Sequence, residues 1–305
     1  MAFNTSALST WVQTGDLFAK SLYSPLSAKY FSVEDGIKGY RDMFPFATTT
    51  AFQAGACSYN ATNSTVVSAV RLTVDIVSTM ETFCVSDFNN YAIGAMLKPG
   101  TSDNDDETFV NMFAGEKLQS ATNGLWEMAW KGNKATGTGN LALTDGILQK
   151  LIHTSASAST VSATSAITAS NIVDAVDYMI NSAPVALLQH KDVILYMTSA
   201  NYRLYVQALK TANNFHFTGE FSNFETTVPG YPMIKVAGIP EIDGNADGID
   251  MILTYVGNFV YGCDTQQEST SYDLWYSKDD RNIKSALETK IGTAVREPAQ
   301  VVIIK

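Results

Sequence analysis

Apolar and polar residues alternate near residue 70, and this is the clearest pattern in the first third of the chain. Every second residue is apolar from Val70 to Ile76. A period of two is typical of a β-strand with one buried face. The preceding stretch, 47–65, is rich in Gly, Ala, Ser, Thr and Asn. A long strand beside a turn-rich partner predicts a projecting β-hairpin, with an apolar face made of Val70, Leu72, Val74 and Ile76.

A long helix is predicted after this hairpin. Beyond the acidic segment 102–107, apolar residues recur every three or four positions as far as Ala129. The negative charges suit the positive end of a helix dipole, and Gly132 is a suitable stop. We predict one helix over residues 104–131, a rod of about 35–40 Å at about 1.5 Å per residue.

The second half of the chain predicts an α/β layer followed by strands. A segment rich in Ser, Thr and Ala, 154–170, resembles a boundary between domains. The pattern then predicts a helix at 171–181 capped by Ser170, a buried strand at Val193–Met197 and a helix at 200–209 capped by Ser199. Further strands are predicted at 233–237, 249–256, 272–276, 282–291 and 301–304. With residues 1–48, which show no sustained period, these elements predict a mixed α+β fold with two lobes.

The composition is that of a globular protein with a core. The chain has 305 residues, of which 46% are hydrophobic and 16% charged. It has no run of about eighteen apolar residues and no signal-peptide pattern at its start, so we expect a cytoplasmic protein without a membrane partner. Cys57, Cys84 and Cys263 show neither disulfide-framework nor zinc-site spacing.

Charge and aromatic residues bear on nucleic-acid binding. The formal charge of −10 leaves no obvious basic patch for phosphate groups, although a protein that only encloses nucleic acid can be acidic. The segment 211–227 has the aromatic composition of a base-stacking platform. No basic residue lies among its phenylalanines, so we favour a packed or intersubunit surface. These phenylalanines are Phe215, Phe217, Phe221 and Phe224.

No catalytic constellation is evident in the sequence. The motifs GxSxG, GxGxxG and HExxH and the P-loop are all missing. His153, His190 and His216 occur in unrelated contexts, with no carboxylate or cysteine at ligand spacing. We therefore predict a protein that is not an enzyme and uses no cofactor.

One acidic segment begins like a calcium loop. Asp243, Asn245 and Asp247 stand at positions one, three and five of an EF-hand pattern, with glycine at position six. Position twelve, which needs a bidentate glutamate, is Thr254. The set Asp243, Asn245, Asp247 and Asp250 is therefore only a weak candidate calcium site. A turn stabilised by Asx and glycine residues is the favoured interpretation.

The order of these segments resembles that of the major capsid proteins of tailed bacteriophages, which have the Hong Kong 97-type fold. The phrases LWEMAWKGN and NLALTDGILQKLI resemble the end of the family's spine helix and the loop after it. SAPVALLQHKDVILYMTSANYRLYVQAL resembles part of its axial domain. PGYPMIKVAGIPEI, MILTYVGNFVYGCD and YDLWYSKDDRNIKSALETKIGTAVREPAQVVIIK resemble its return strands. The resemblance covers nearly the whole chain.

The resemblance implies a domain organisation and a role. The implied parts are an N-terminal arm (1–46), an extended β-hairpin or E-loop (47–88), a peripheral domain (89–170) with spine helix 104–131, an axial α/β domain (171–270) and return strands (271–305). The chain would self-associate into hexamers and pentamers of an icosahedral virion shell. That shell would enclose double-stranded DNA without sequence-specific binding. The hairpin's apolar face would be buried on a neighbour, and segment 211–227 would lie near the ring axis.

The chain also departs from the founding member of that family. No lysine occurs between Ala47 and Phe88, so a lysine–asparagine crosslink cannot be placed on the hairpin. No N-terminal extension is long enough to act as a fused scaffold. We therefore expect a separate scaffolding protein, a portal and, as a further partner, a decoration protein, with assembly in the host cytoplasm.

Two other functions stay open from the sequence. An encapsulin-like shell that encloses a cargo enzyme would share the fold. A calcium-dependent adhesin or glycan-binding module would use the Asp243–Asp250 segment and exposed aromatic residues.

Overall fold

A long helix and two β-sheets form the body of the protein. The computed structural model describes residues 28–49, 52, 64–67, 69–84, 107–154, 159–161, 166–212, 225–264, 272–277, 279 and 282–305. Its helices are α1 (Glu107–Lys131), α2 (Ile147–Gln149), α3 (Ile172–Asn181), α4 (Val185–Leu188) and α5 (Ser199–Ala212).

The strands in chain order are β1 (Ser32–Glu34), β2 (Tyr40–Met43), β3 (Phe46–Thr49), β4 (Ser64–Val67), β5 (Val70–Thr73), β6 (Asp75–Cys84), β7 (Ser159–Val161), β8 (Val193–Met197), β9 (Glu225–Val228), β10 (Tyr231–Gly238), β11 (Met251–Tyr255), β12 (Phe259–Gly262), β13 (Tyr272–Ser277), β14 (Asn282–Val295) and β15 (Val302–Ile304). Short 3₁₀ turns lie at Ala28–Tyr30, Gly139–Ala142, Pro240–Ile242 and Pro298–Gln300, and a π-helical turn, Lys150–Thr154, follows α2.

The six-stranded sheet is covered on both faces. Its strand order is β7-β15-β11-β8-β10-β9. Along β8, Val193, Leu195 and Met197 pack with α3 and α5, whereas Ile194 and Tyr196 pack with α1. All five residues are buried as a result, which explains why this predicted strand is a continuous apolar run instead of an alternating one.

The C-terminal half of α1 contacts both sheets through aromatic rings. The ring of Trp130 lies 5.6 Å from that of Tyr196 in the six-stranded sheet and 5.6 Å from that of Phe259 in β12. One turn earlier, Trp126 stacks on Tyr261 at 5.0 Å. These residues belong to one buried cluster, so the two sheets share a hydrophobic core.

The five-stranded sheet is built on β14. This strand pairs with β6 on one edge and with β12 and β13 elsewhere, all antiparallel, while β1 pairs with β12. One face packs on α1 and buries Val77, Leu287 and Ile291. Side chains alternate along a strand, so Ile76 and Met80 lie on the opposite face, where they are 63% and 76% exposed. We call the part of this face along β6 the open face.

A two-stranded ribbon leads away from this sheet. Strand β2 pairs antiparallel with β5, and β3 pairs antiparallel with β4. We call residues 40–49 and 64–73 the ribbon. Residues 50–51 and 53–63 lie outside the described part, so the structure describes the stem of the predicted hairpin and, beyond β3, only Phe52.

The predicted helices agree with the structure except at two caps. Ser199 is not the cap of α5, because the helix begins at Ser199 itself and the Thr198 hydroxyl oxygen accepts a hydrogen bond from the Asn201 amide at 3.3 Å. Helix α1 ends at Lys131, as predicted, and residues 104–106 lie outside the described part. Ser170 is not the cap of α3; Asn171 occupies that position. The Ser170 hydroxyl lies 2.9 Å from Thr168 Oγ1, and the Asn171 side chain accepts a hydrogen bond from the Thr168 amide. Residues 1–27 of the predicted arm and 213–224 of the aromatic segment also lie outside.

Candidate assembly surfaces

The root of the ribbon crosses a pair of glycines. Gly262 in β12 and Gly292 in β14 are paired in register. A Cβ atom on Gly262 would lie 2.8 Å from Leu72 Cδ2, and one on Gly292 would lie 2.2 Å from the carbonyl oxygen of Thr73. Strand β5 therefore approaches the sheet so closely that neither position has room for a side chain.

The burial of the predicted apolar face changes along this crossing. Leu72 and Val74 are buried against Ile37, Val260 and Ala294 of the same chain. Val70 is partly buried in this cluster, whereas Ile76 on β6 is 63% exposed. The prediction that this apolar face is buried on a neighbouring copy is therefore wrong for Leu72 and Val74, which are buried within their own chain. Their partners are strands from the far end of the chain, which a local pattern does not show.

Charged side chains hold the ribbon on either side of this crossing. Arg71 donates two hydrogen bonds to the Asp42 carboxylate across β2 and β5, at 2.8 and 3.0 Å, and lies over the Tyr40 ring. The hydrogen bonds from Arg71 lower the pKa of Asp42. At the start of β6, the Asp75 carboxylate accepts hydrogen bonds from Lys134 Nζ at 2.7 Å and Thr144 Oγ1 at 3.1 Å.

The ribbon exposes large apolar side chains. Four side chains on or next to it are more than half exposed: Tyr40 (63%), Phe44 (56%), Phe52 (97%) and Val67 (51%). A narrow ribbon cannot bury both of its faces by itself, and two-stranded hairpins are only marginally stable in water. Large apolar side chains that stay exposed along one ribbon make it a candidate contact surface.

A groove lies between α1 and the five-stranded sheet. Its volume is about 240 Å³, and its apolar walls include Val77, Leu125 and Leu287. Lys117 of α1 forms an ion pair with Glu81 of β6 at the rim. The groove and the open face lie on opposite sides of β6, so this strand presents a surface to solvent on each side.

The acidic segment 243–250 holds the start of α5. The Asp243 carboxylate accepts hydrogen bonds from the Ser199 amide, at 2.7 Å, and from the Ser199 hydroxyl. Asp250 Oδ1 accepts one from Asn201 Nδ2 at 3.2 Å. Carboxylates are favourable at the N-terminus of a helix because they satisfy free N–H groups there. Lys131, at the end of α1, donates to the Asp243 carbonyl oxygen at 2.9 Å, so this segment also contacts α1.

The other residues of this segment form a turn. Asn245 hydrogen-bonds to the carbonyl oxygens of Ile242 and Ile249 and accepts from the Ile249 amide. Gly244 and Gly248 both have φ of +68°, which favours glycine. No group of three or more His, Cys, Asp or Glu side chains in the described residues is placed to hold a metal ion. The Asp243, Asn245, Asp247 and Asp250 set therefore remains a sequence prediction that the contacts of this turn do not support.

Among the histidines and cysteines, the structure describes the side chains of His190 and Cys263. His190 stacks on Tyr255 with ring centroids 4.3 Å apart, and burial raises the pKa of Tyr255 to about 12. Cys263 is buried, and Cys57 lies outside the described part. No helix in the described ranges has both the length and the apolar character needed to cross a bilayer.

The contacts that position the ribbon were missed at the sequence level. The glycine pair and Asp75 carry no local motif, because their partners are distant in sequence. The one available signal was the negative charge of Asp75 at a polar position of the alternating segment, between Val74 and Ile76.

No family model and no curated protein matches this chain. Solved structures do match over nearly its full length. A chain from the satellite phage P4 procapsid including size determination (Sid) protein aligns with a TM-score of 0.61 at 11% identity, covering 96% of this chain and 90% of that one.

Two further capsid structures also align with most of this chain. The capsid of Myoviridae phage XM1 aligns with a TM-score of 0.56 at 12% identity, covering 92% of this chain and 90% of that one. The capsid of an empty GTA particle aligns at 0.54 and 16% identity, covering 92% and 88%. The comparisons do not favour the nanocompartment or adhesin alternatives. The chain therefore has the fold of tailed-phage major capsid proteins, the Hong Kong 97 type that the sequence resemblance predicted.

Proposed function

We propose that this chain is the major capsid protein of a tailed phage. It self-assembles into pentamers and hexamers of an icosahedral shell that encloses double-stranded DNA. The observation that carries this proposal is the ribbon, which is anchored firmly at its root but exposes Tyr40, Phe44, Phe52 and Val67 along its length. An exposed apolar ribbon is an aggregation hazard in a free chain and a connection between copies in a shell.

In the proposed contact, the ribbon of one copy lies on β6 of its neighbour. The receiving surface is the open face with Ile76 and Met80. Each large apolar side chain that becomes fully buried contributes about 1.5–3 kcal/mol. Several such side chains in each contact, repeated over a closed shell, make a stable polymer from weak single contacts.

The anchored root supports this role. A ribbon that swung freely would lose orientational entropy on docking, and a fixed direction reduces that cost. The glycine pair, the Arg71–Asp42 pair and the Asp75 contacts all restrict the direction of the ribbon.

The domain roles follow from the same proposal. Two of the predicted bounds, 1–46 and 47–88, are moved here, because β2 pairs with β5 in the ribbon and β6 pairs with β14 in the five-stranded sheet. Residues 1–39 act as an arm and the ribbon as the stem of the E-loop. Residues 89–170 act as the peripheral domain, 171–270 as the axial domain and 271–305 as return strands. A separate scaffold directs assembly, and a portal and a decoration protein complete the particle. The net charge of −10 fits a container that repels DNA mildly instead of holding it by phosphate contacts.

Electron microscopy of the purified chain, produced with and without a candidate scaffold, tests this function. We expect closed shells, with this chain identified as their main component by mass spectrometry. Phe52→Asp and Met80→Asp each place a charge on a proposed contact surface and should leave the chain soluble but unassembled. Ala135→Asp, on an exposed loop after α1, is the matched control and should assemble normally. Only dispersed monomers from the wild-type chain under all conditions would contradict the proposal.

A further inference from the structure

Strand β6 forms an edge of the five-stranded sheet. It pairs with β14 in one unbroken antiparallel register, and no described strand pairs with its other side. The side chains of residues 78–82 are all exposed, although Thr79 and Glu81 lie on the face that α1 covers. The groove beside α1 therefore opens along this edge. An edge strand presents a row of N–H and C=O groups, and solvent reaches those of β6 from both faces of the sheet.

This edge lacks the features that normally protect an edge strand. Short length, a proline, a bulge or an unpaired charge keeps such a strand from pairing with another chain. Strand β6 is ten residues long, contains no proline and keeps its register with β14 throughout. Its charged residues are Asp75 and Glu81, which form ion pairs with Lys134 and Lys117 of the same chain. The edge is therefore suited to pairing with another strand.

The geometry of the proposed shell restricts which strand this is. Ribbons that dock on neighbouring copies require every copy to keep its open face on the same side of the shell. Copies in adjacent rings of an icosahedral shell are related by twofold axes perpendicular to the shell. Such an axis reverses the direction of a strand and keeps the same face of its sheet outwards. It therefore places an edge strand antiparallel to the same strand of a second copy, as a twofold contact requires.

We propose that β6 pairs antiparallel with β6 of a copy in the adjacent ring, so that the two five-stranded sheets become one continuous sheet. This inference rests on the proposed shell function and assigns one contact between rings. The contact uses the edge of β6, so the open face stays accessible to the ribbon of a neighbour. Backbone hydrogen bonds hold the pair, and the twofold axis makes the contact the same for both copies.

Charge selects Thr79 as the centre of this pairing. A centre at Ser78 would set Asp75 of one copy opposite Glu81 of the other, and like charges directly opposite are destabilising. A centre at Met80 would make the two Glu81 side chains diagonal neighbours. With Thr79 opposite Thr79 of the second copy, the two Glu81 residues are four positions apart, about 13 Å at about 3.3 Å per residue. Centres nearer either end pair fewer residues of β6.

Oxidation of one introduced cysteine tests this register. Directly opposite residues of antiparallel strands have Cβ atoms about 4.5–5.5 Å apart, from which a small shift closes a disulfide. Ser78→Cys is the matched control, because residue 78 is only a diagonal neighbour of its own copy, about 7–8 Å away. On non-reducing gels, shells of Thr79→Cys should contain clearly more linked dimer than shells of Ser78→Cys. The wild type, with three cysteines of its own, gives the background.

Charges at the same position test the effect of the pairing on assembly. Thr79→Lys sets two lysines opposite each other and Thr79→Glu two glutamates, so we expect each to lower the yield of closed shells by about tenfold or more. Co-expression sets lysine opposite glutamate in part of the pairs and should raise the yield above that of either variant alone. Thr136→Lys, on the exposed loop after α1, is the matched control and should assemble normally. Circular dichroism of the unassembled variants checks that they fold.

Two results would overturn the pairing. One is wild-type shells that form while Thr79→Cys gives no more linked dimer than Ser78→Cys. The other is a co-expressed mixture that assembles no better than the single variants, which would mean that residue 79 faces a different segment, such as the ribbon of a neighbour. Absence of shells from the wild type would instead contradict the proposed function itself.

Discussion

The two sheets of this protein differ in how their faces are covered. The six-stranded sheet is covered on one face by α3 and α5 and on the other by α1, all from the same chain. The five-stranded sheet has α1 on one face, while its other face is covered only where the ribbon crosses β12 and β14. Along β6 this second face stays open. Both faces of the first sheet are covered within one copy, whereas the second sheet keeps the face along β6 exposed.

Because of this difference, we expect the residues that stabilise the free chain to differ from those that association needs. Substitutions in the covered sheet should unfold the free chain, whereas substitutions on the open face should leave the free chain intact and affect only association. Four changes test this separation, in order of decreasing effect on the free energy of unfolding.

The largest effect is expected for Trp130→Ala. This side chain is fully buried between the two sheets, so its removal should lower the free energy of unfolding by about 3–5 kcal/mol. Trp130→Phe is the matched control. It keeps most of the packing and removes a buried N–H group that has no hydrogen-bond partner among the described residues, so it should cost much less. Urea unfolding of each unassembled variant measures its free energy of unfolding. Equal losses of stability in the two variants would contradict the packing explanation.

A smaller effect is expected for Gly292→Ala at the root of the ribbon. The added Cβ meets the Thr73 carbonyl oxygen at 2.2 Å, so backbone must shift, at a cost of about 1–3 kcal/mol. Gly39→Ala is the control, because a Cβ there has nothing within 4 Å. Hydrogen exchange of the Val74 amide, which is bonded to Gly39 O at 2.9 Å, should accelerate only in the Gly292 variant. An unchanged exchange rate in the Gly292 variant would show that the anchoring of the ribbon does not depend on the glycine pair.

Next comes Asp243→Ala in the turn before β11. Loss of the hydrogen bonds to Ser199 should cost about 0.5–2 kcal/mol, as for other helix caps. Asp247→Ala, with no hydrogen bond to another described residue, should have a smaller effect. Thermal unfolding of both variants measures the loss of stability. The same measurement on the wild type, with and without millimolar calcium, tests for a metal site, and we expect calcium to leave the melting temperature unchanged. A large calcium-dependent rise would restore the metal interpretation.

The smallest effect on the free chain is expected for Met80→Ser. The side chain is 76% exposed, so its free energy of unfolding should change by less than about 0.5 kcal/mol. Assembly should nevertheless fall clearly, because the proposed contact loses buried area. Light scattering during assembly, beside urea unfolding of the same sample, compares the two quantities. If Met80→Ser lowered both the free energy of unfolding and the yield of assembly, stability and assembly would not depend on different sheets.

Much of the fold could be predicted from local patterns. The helical period located α1, and the apolar run Val193–Met197 located a strand buried on both faces. The alternation from Val70 to Ile76 predicts one strand, whereas the structure divides it at Val74 into β5 and β6, which pair with β2 and β14 in different sheets. The burial of this segment was not predicted either, because Leu72 packs on Val260 from a distant part of the chain.

The contacts of the acidic turn could not be predicted for the same reason. Its spacing resembles a ligand set, but Ser199 and Asn201 decide what Asp243 and Asp250 bind, and they precede these residues by more than forty positions. The glycine pair is likewise visible only once the register of β12 and β14 is known. Patterns report periodicity, whereas these features depend on which strands become neighbours.

The aromatic core shared by α1 and the two sheets has a mechanical consequence. Trp130 contacts Tyr196 on one side and Phe259 on the other, with no linker between the lobes at this point. Packed interiors have low compressibility and transmit strain. A load on the six-stranded sheet is therefore passed directly to α1, and each copy responds as a solid body. Any change in the curvature of a shell built from such copies has to be taken up at the seams between them.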